Sequence, residues 1–419
     1  MKTPFVILLC LLLSCASATA ADVLWMWSGA VTTDSVRVKV KSPSDRPPLL
    51  RLTSQGGVVR ELAPVGRIAA DDSAWVLDYR IEGLQPDTAY DYDVSGEKGK
   101  FRTLPAGPAS FTVALGSCAD TGSEHPVFLT IVRHEPLFFL HTGDFHYEDI
   151  AVNDVNVFHR AYARALQSKT QSVLFRSMPV AYMWDDHDFG PNNSDSSSPS
   201  REASRRAYRV NVPHHPLVVP ENGPIHHAFT VGRVRFIMSD MRSERSPLNV
   251  PEGPARSMLG AEQKAWLKKE MLAARDSHAL IVWVNSVPWI GADSGSENED
   301  RWTGFTTERA ELAAFFEENK ITNLCIVSGD AHMIAIDDGT NNRYGPSAAP
   351  GAPVFQAAAL DRRGSVKGGP YSHGTFPGPG QFGLLRVTDN GGTDVRVEMS
   401  GRNHEDKELV RHAFTVRVP

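Results

Sequence analysis

Cysteine is scarce: the 419 residues hold four, at positions 10, 15, 118 and 325. The first two lie in or beside an N-terminal leader, so the exported chain keeps only Cys118 and Cys325. That excludes a disulfide-stapled scaffold. A bridge between the remaining two is disfavoured as well, because Cys325 sits mid-strand in Asn323-Leu-Cys-Ile-Val, where a free thiol behaves as a small core residue. An excess of basic residues is also missing. A formal charge of −6 carries no footprint for nucleic acid, which is expected only as a possible substrate. The apolar run Phe5–Leu13 is too short to span a bilayer, no other stretch qualifies, the leader has no twin-arginine pair, and no internal repeat is found. What remains is globular: 41% apolar and 22% charged residues, with 33 Gly and 28 Pro marking many turns. The length suggests two domains.

Lys2, the apolar run Phe5–Leu13 and Ala18-Thr19-Ala20 follow the order of a Sec-type signal peptide over residues 1–20. The mature chain then starts near Ala21 and is secreted or periplasmic. Leu12-Leu13-Ser14-Cys15 also resembles a lipoprotein processing site, which leaves anchoring open. Residues 21–105 read as all-β, with period-two strands at Val36–Val40, Trp75–Ile81 and Ala89–Val94. The stretch Gly83-Leu84-Gln-Pro86-Asp-Thr-Ala-Tyr90-Asp-Tyr92 resembles the corner before a late strand of fibronectin type III domains, and the length suits a small sandwich. Such an appended unit is expected to be a spacer or lid. Ala106-Gly-Pro-Ala109 is a linker.

From Phe111 strands alternate with helical stretches, the mark of βαβ organisation. Strands are expected at Phe111–Leu115, Leu137–Leu140, Val180–Met183, Val234–Met238, Leu280–Val284 and Leu324–Val327, and helices near 153–175, 200–212, 260–276 and 307–319. The helix after Gly260 should turn Trp266 and Leu267 inward. Residues 339–380 read as a structureless Gly/Pro loop of functional length. Tail strands Leu384–Val387, Val395–Met399 and Phe414–Val418 are expected to complete the second sheet.

Four strand ends carry chemistry. The first closes in Gly116-Ser-Cys118, and the second in Gly143-Asp144 with His146 and Tyr147 close behind. The third gives Trp184-Asp-Asp186-His187-Asp188 and a Gly-Pro-Asn192-Asn193 loop; a late one gives Ser328-Gly-Asp330-Ala-His332. One Gly-Asp ending is a common turn. Four at the mouth of one parallel sheet imply a cation, because burying that many ionisable groups is costly otherwise. A thiolate, a phenolate and a carboxylate favour a strongly Lewis-acidic ion, Fe³⁺ fitting best, since only a charged metal holds a tyrosine deprotonated. Asp186, Asp330, Asn193 and a bridging Asp144 make an oxygen-rich second set suited to Ca²⁺, Mg²⁺ or Mn²⁺.

Taken together, Gly-Ser-Cys118, Gly-Asp144-x-x-Tyr147, Trp184-Asp-Asp186-His187-Asp188 and Ser-Gly-Asp330-Ala-His332 resemble the alkaline phosphatase D (PhoD-like) family of calcineurin-like metallophosphoesterases. The resemblance covers nearly the whole mature chain. It implies an α/β fold: a four-layer αββα sandwich over 110–419, with the N-terminal all-β fibronectin III/Ig-like domain in front. It further implies Fe³⁺ held by Cys118, Asp144, Tyr147 and His332, and Ca²⁺ between Asp144 and Asp186, Asn193 and Asp330, with Zn²⁺ a further alternative. Whether Asp185 or Asp186, and Asn192 or Asn193, faces the ions stays open. His187 becomes the leaving-group histidine, oriented by Asp188, and Arg242 or Arg245 a phosphate anchor. Asn285 is a weaker ligand candidate, and Arg362, Arg363, Lys367 and His373 are candidate substrate-lining residues. His146 is expected just behind the ligands, and the pairs His214-His215 and His226-His227 on the surface.

The function expected is an exported metal-dependent phosphoesterase acting on small phosphate mono- or diesters. The rivals are a purple-acid-type phosphatase, which would need a histidine-rich second site, and a nonenzymatic metal-stabilised surface-binding protein.

Overall fold

Short runs of β-branched and aromatic residues fill the N-terminal quarter and fold as strands. A computed structural model describes residues 22–54, 56–71, 74–291 and 299–419; the expected leader lies outside them. Eight strands come first: β1 (Trp25–Gly29), β2 (Val36–Ser42), β3 (Leu50–Ser54), β4 (Val59–Leu62), β5 (Gly66–Asp71), β6 (Ala74–Ile81), β7 (Ala89–Val94) and β8 (Glu97–Arg102). Alternation with helices follows: β9 (Phe111–Gly116), α1 (Val127–Arg133), β10 (Phe138–His141), α2 (Val155–Leu166), α3 (Gln171–Ser177), β11 (Val180–Tyr182), α4 (Asp186–Phe189) and α5 (Arg201–Asn211). Then come β12 (His227–Val231), β13 (Val234–Met238), α6 (Ala261–Arg275), β14 (Leu280–Val284), α7 (Thr306–Glu318), β15 (Leu324–Ser328), β16 (Met333–Asp337), β17 (Val354–Ala357) and β18 (Thr375–Pro377). The chain closes with β19 (Gln381–Thr388), β20 (Asp394–Asn403) and β21 (Glu408–Arg417).

Three sheets result. The first has ten strands in the order β21-β20-β19-β9-β10-β11-β1-β2-β6-β5, the second seven in the order β12-β13-β14-β15-β17-β16-β18, and the third four in the order β4-β3-β7-β8. Strands β9, β10 and β11 run parallel, as do β13, β14, β15 and β17. The second sheet has a core on each face. Phe236, Val282, Val284, Cys325 and Val327 share one apolar cluster with the first sheet, while Ile237, Ile281, Trp283, Leu324 and Ile326 face α6 and α7 in another. That strict alternation is what a strand buried on both sides requires.

The N-terminal unit is not a separate bead. Its β1 pairs in parallel with β11 through Gly29 and Val180, so one of its two sheets continues the central sheet. A Cβ on Gly29 would lie 2.6 Å from the Val180 carbonyl and 2.5 Å from that of Pro213, which is why glycine stands there. Trp27, fully buried, packs on Phe145, Phe175 and Tyr182 and donates its indole N–H to the Asn211 carbonyl at 2.9 Å. A strand expected in a spacer therefore forms the floor beneath the loop that carries Asp144.

Other differences have local causes. The helix expected over 153–175 is two, parted at Ser168, whose hydroxyl accepts the Gln171 N–H as a cap does. The stretch 339–380 holds β17 and β18, strands of four and three residues, too short to show a period. The tail strands join the first sheet, not the second, because β19 pairs antiparallel with the open edge of β9. Trp266 is half-buried against His226, and Gln263, Leu267 and Met271 make the inner face of α6. Cys118 and Cys325 are both free and buried. No helix among the described residues is long and apolar enough to cross a membrane.

The histidine pairs are not on the surface. His215, His226 and His227 are buried, and His215 stacks flat on Phe229 at 4.4 Å. Burial, then neighbouring positive groups, pushes His214 down to about 3; burial pushes His227 down to about 4 and His215 well below its ordinary value. The unfolded chain protonates these rings near pH 6.5, so below that pH it binds more protons than the folded chain. Their contribution to stability is full above pH 6.5 and is lost as the pH falls towards 4. Urea titrations across that range should show unfolding free energy dropping by about 1.4 kcal/mol per pH unit for each such histidine, with His227→Phe flattening the slope by about one proton.

Candidate metal centre

Tight turns bring the strand ends of both sheets together. Gly329, just past β15, packs where an added Cβ would lie 2.6 Å from the Thr142 carbonyl, 2.9 Å from the Ser117 hydroxyl and 2.9 Å from the Ser286 carbonyl. Gly143, at φ +104°, likewise lies against Asp185. The Cys118 and Ala119 N–H groups donate to the carbonyls of Gly143 and Asp144 at 3.2 and 3.1 Å, tying the β9 and β10 ends to one another. The turns leave Cys118, Asp144, Asp149, Asn193, Asp330 and His332 at positive φ, from +33° to +64°. Left-handed backbone at so many non-glycine positions costs on the order of 1–2 kcal/mol each and gathers where function demands it.

The side chains converge accordingly. One oxygen of Asp144 accepts the Tyr147 hydroxyl at 2.7 Å and the Cys118 thiol at 3.4 Å, and the Tyr147 oxygen lies 3.2 Å from His332 Nε2. Three sets of donor atoms each lie within 4.8 Å of one another: Cys118, Asp144 and His332; Asp144, Asp186 and His187; and Asp144, Asp185 and Asp330. Asp144 belongs to all three. All four carboxylates are buried, and Asp144 Oδ1, Asp185 Oδ2 and Asp186 Oδ1 have no hydrogen-bond partner.

Electrostatics fits a site that binds a cation. Burial, then Asp186 and Asp185, pushes the Asp144 carboxyl well above its ordinary value. Burial, then Asp144, raises the Cys118 thiol and the Tyr147 phenol. Asp185 is pushed up to about 7 by burial, against the pull of Arg242. Asp186 differs: burial pushes it upward, but Arg242 and His187 hold it below the usual carboxylate range. A thiol, a phenol and four acids this close ionise together only around a cation. Orphaned carboxylate oxygens beside soft and hard donors fit such a group.

Several expected residues sit differently. Arg242 is fully buried rather than open to substrate; Nε bonds Asp185 at 2.6 Å, Nη1 bonds Asp300 at 2.8 Å, and Nη2 lies 3.8 Å from Asp186. Its charge answers Asp185, so of the adjacent acids Asp186 is the freer. Arg245, also buried, pairs with Asp300 at 2.5 Å. Asp188 does not touch His187; it accepts N–H groups of Phe145 at 2.6 Å, His146 at 3.1 Å and Asp185 at 3.1 Å, pinning two site loops to one another. The partner of His187 is Asp149, whose carboxylate lies 2.5 Å from Nδ1. Asp149 was missed because, in sequence, it looks like one more acid in Glu148-Asp149; its only signal was its place five residues after Asp144.

Asn193 is exposed and contributes a main-chain N–H to Asp186 at 2.7 Å. Asn285 is buried and accepts the Trp302 indole at 3.0 Å. His146 is buried against Tyr162, its ring nitrogens unpartnered. Of the loop cations, Arg362 covers the Tyr147 ring at 4.0 Å and pairs with Asp120, and Lys367 pairs with Asp330. Arg363 offers its carbonyl to His332 Nδ1 at 3.0 Å, whereas His373 packs on His412 away from the cluster.

Comparison with known proteins decides what this centre belongs to. The profile of the PhoD-like phosphatase family matches residues 112–364, more than half of the chain. The chain belongs to that family, and with it to the metal-dependent phosphoesterases. The solved structure of PhoD superposes with a TM-score of 0.73 at 17% identity, covering 96% of this chain and 92% of that one. The purple acid phosphatase PPD1 from yellow lupin (Lupinus luteus) seeds superposes at 0.62 with 12% identity, covering 94% and 74%. At such identities the likeness is one of fold. No curated protein sequence gives a significant match.

Removing the Arg242 charge should leave Asp185 and Asp300 buried without their counter-ion. Arg242→Met is expected to lower unfolding free energy by about 3–5 kcal/mol in urea titrations, whereas a solvent-facing substrate arginine would cost almost nothing.

Proposed function

We propose that the chain is an exported phosphoesterase working through two cations: Fe³⁺ on Cys118, Asp144, Tyr147 and His332, and Ca²⁺ (or Mg²⁺, Mn²⁺ or Zn²⁺) on Asp144, Asp186 and Asp330, with Asn193 at its edge. The observation that carries this is Asp144, one buried carboxylate shared by every donor set, with a thiol and a phenol both aimed at its Oδ2. A purple-acid-type second site asks for a histidine-rich donor set, and the carboxylates here support the oxygen-rich alternative. A binding protein with merely structural ions has no use for so many strained donors.

Bound there, the ions would supply Lewis acidity to a phosphoryl oxygen and lower the pKa of a nearby water. The chain's own residues do the rest. Asp149 fixes the His187 ring through Nδ1, which leaves Nε2 to hand a proton to the departing alkoxide. The Tyr147 ring, 4.1 Å from that imidazole, limits its tilt, and Arg362 lies over the Tyr147 ring at 4.0 Å. Asp188 holds the Asp144 and Asp185 loops in register.

The substrate is a small phosphate mono- or diester. The neighbour order β1-β2-β6-β5 over β4-β3-β7-β8 supports an Ig/fibronectin III-like unit over 21–105. The two-faced second sheet supports the αββα arrangement over 110–419. Residues 1–20 carry the Sec-type leader.

Hydrolysis of a chromogenic monoester and diester, with and without a Ca²⁺ chelator, tests the activity; elemental analysis tests the ions. Cys118→Ala should lose its iron and at least about a hundredfold of turnover; an iron-replete, fully active variant would sink the ferric assignment. His187→Ala should lower kcat by about 10²–10⁴ on esters with poor leaving groups and much less on activated ones. Asp149→Asn should show the same leaving-group dependence in weaker form.

A further inference from the structure

Lys367 stands out among the groups around the centre because it already occupies one of the carboxylates. Its ammonium donates to Asp330 Oδ1, the acid that groups with Asp144 and Asp185. The backbone on either side is pinned: Ser365 N–H donates to the His332 carbonyl and Gly369 N–H to the Ile290 carbonyl, each at 3.2 Å. The lysine side chain is 37% exposed while that of Asp330 is 8% exposed. The ammonium therefore reaches in from the open side of the cleft, and only its side chain has to turn for it to leave. Arg242, the other cation on the acid cluster, is fully buried behind Asp185 and has no such freedom.

Resting on the two-cation reading above, we propose that Lys367 is a tethered counter-ion, held by Asp330 until the second cation binds and then turned onto the phosphoryl oxygens of the substrate. Two positive charges on one carboxylate oxygen repel, so the incoming ion and the ammonium exclude each other. A lysine is a compact point charge on a flexible stem, suited to both stations and able to serve as a phosphate donor after release. The same loop presents Ser365 Oγ and Arg362 Nε, both buried without a hydrogen-bond partner. Open donors on the loop that carries the ammonium are what an oxyanion needs. The second cation and the substrate are in this way coupled through one side chain: the ion, by taking Asp330, creates the phosphate donor.

The test uses the full chain with its tightly held metal in place and the weaker ion removed by chelation. Ca²⁺ is titrated calorimetrically into wild type, Lys367→Met, Lys367→Gln and Lys367→Arg. With the competitor gone, K367M and K367Q should each bind Ca²⁺ about tenfold more tightly, the scale of one partly buried pair, while K367R stays near wild type. At saturating Ca²⁺, K367M and K367Q should show KM for a chromogenic monoester, and the inhibition constant of inorganic phosphate, raised about tenfold with kcat changed far less. Unchanged or weaker Ca²⁺ binding in K367M and K367Q overturns the proposal, as does an unchanged KM. A loss of Ca²⁺ binding shared by K367R marks the lysine as a mere loop support and overturns it too. Should wild type take up no Ca²⁺ or Mn²⁺, the two-cation reading falls and this inference with it; should wild type bind the ion and the neutral variants match it, only the part given to Lys367 falls.

Discussion

Mutual repulsion among Asp144, Asp185, Asp186 and Asp330 is the constraint to which the rest of the molecule answers. Four buried carboxylates within reach of one another are a folding liability unless something positive stands among them. Among the described residues, two cationic side chains pair with these acids, one locked and one not. Arg242 is walled in between Asp185 and Asp300, and Lys367 rests on Asp330 from the open side. Asp144 is paired with neither of them, and burial, then Asp186 and Asp185, holds its carboxyl well above the ordinary range. The acid at the centre is left for a cation that the chain does not encode.

Holding such a cluster requires backbone that resists it. The ligand-bearing turns are strained, and main-chain N–H groups tie them to their neighbours: Cys118 donates to the Gly143 carbonyl, Phe145 and His146 to the Asp188 carboxylate, and Asn193 to the Asp186 carboxylate. Tight glycine contacts at positions 143 and 329 bring the sheet ends close enough for these bonds to form. Strain and tethering are thus two sides of one arrangement, and a loosened turn would relax away from the geometry that binds metal.

How much of this was legible in the sequence follows from range. Apolar runs ending in Gly-Asp, Asp-His or Ser-Cys are local, so Cys118, Asp144, Tyr147, Asp186, Asp330 and His332 could be picked out one strand at a time. The parallel βαβ strands were legible for the same reason. Partnerships across the fold were not. That Arg242 serves Asp185 and Asp300 rather than substrate, and that Asp149 rather than Asp188 orients His187, depends on which loops face each other. Burial misled in one place: paired histidines look polar, yet His215 and His227 fill aromatic gaps beside Phe229. Sheet membership misled in another, since the antiparallel pairing of β19 with β9, Leu115 opposite Gly383, joins strands far apart in the chain and leaves no local mark.

The parallel pairing of Gly29 with Val180 has a mechanical consequence. Because β1 is bonded into the central sheet and Trp27 lies under Phe145, the front unit and the ligand loop share one stiff plate. Displacing β1 would press Trp27 against Phe145, the residue next to Asp144, so the front unit and the ligand loop are held to one another.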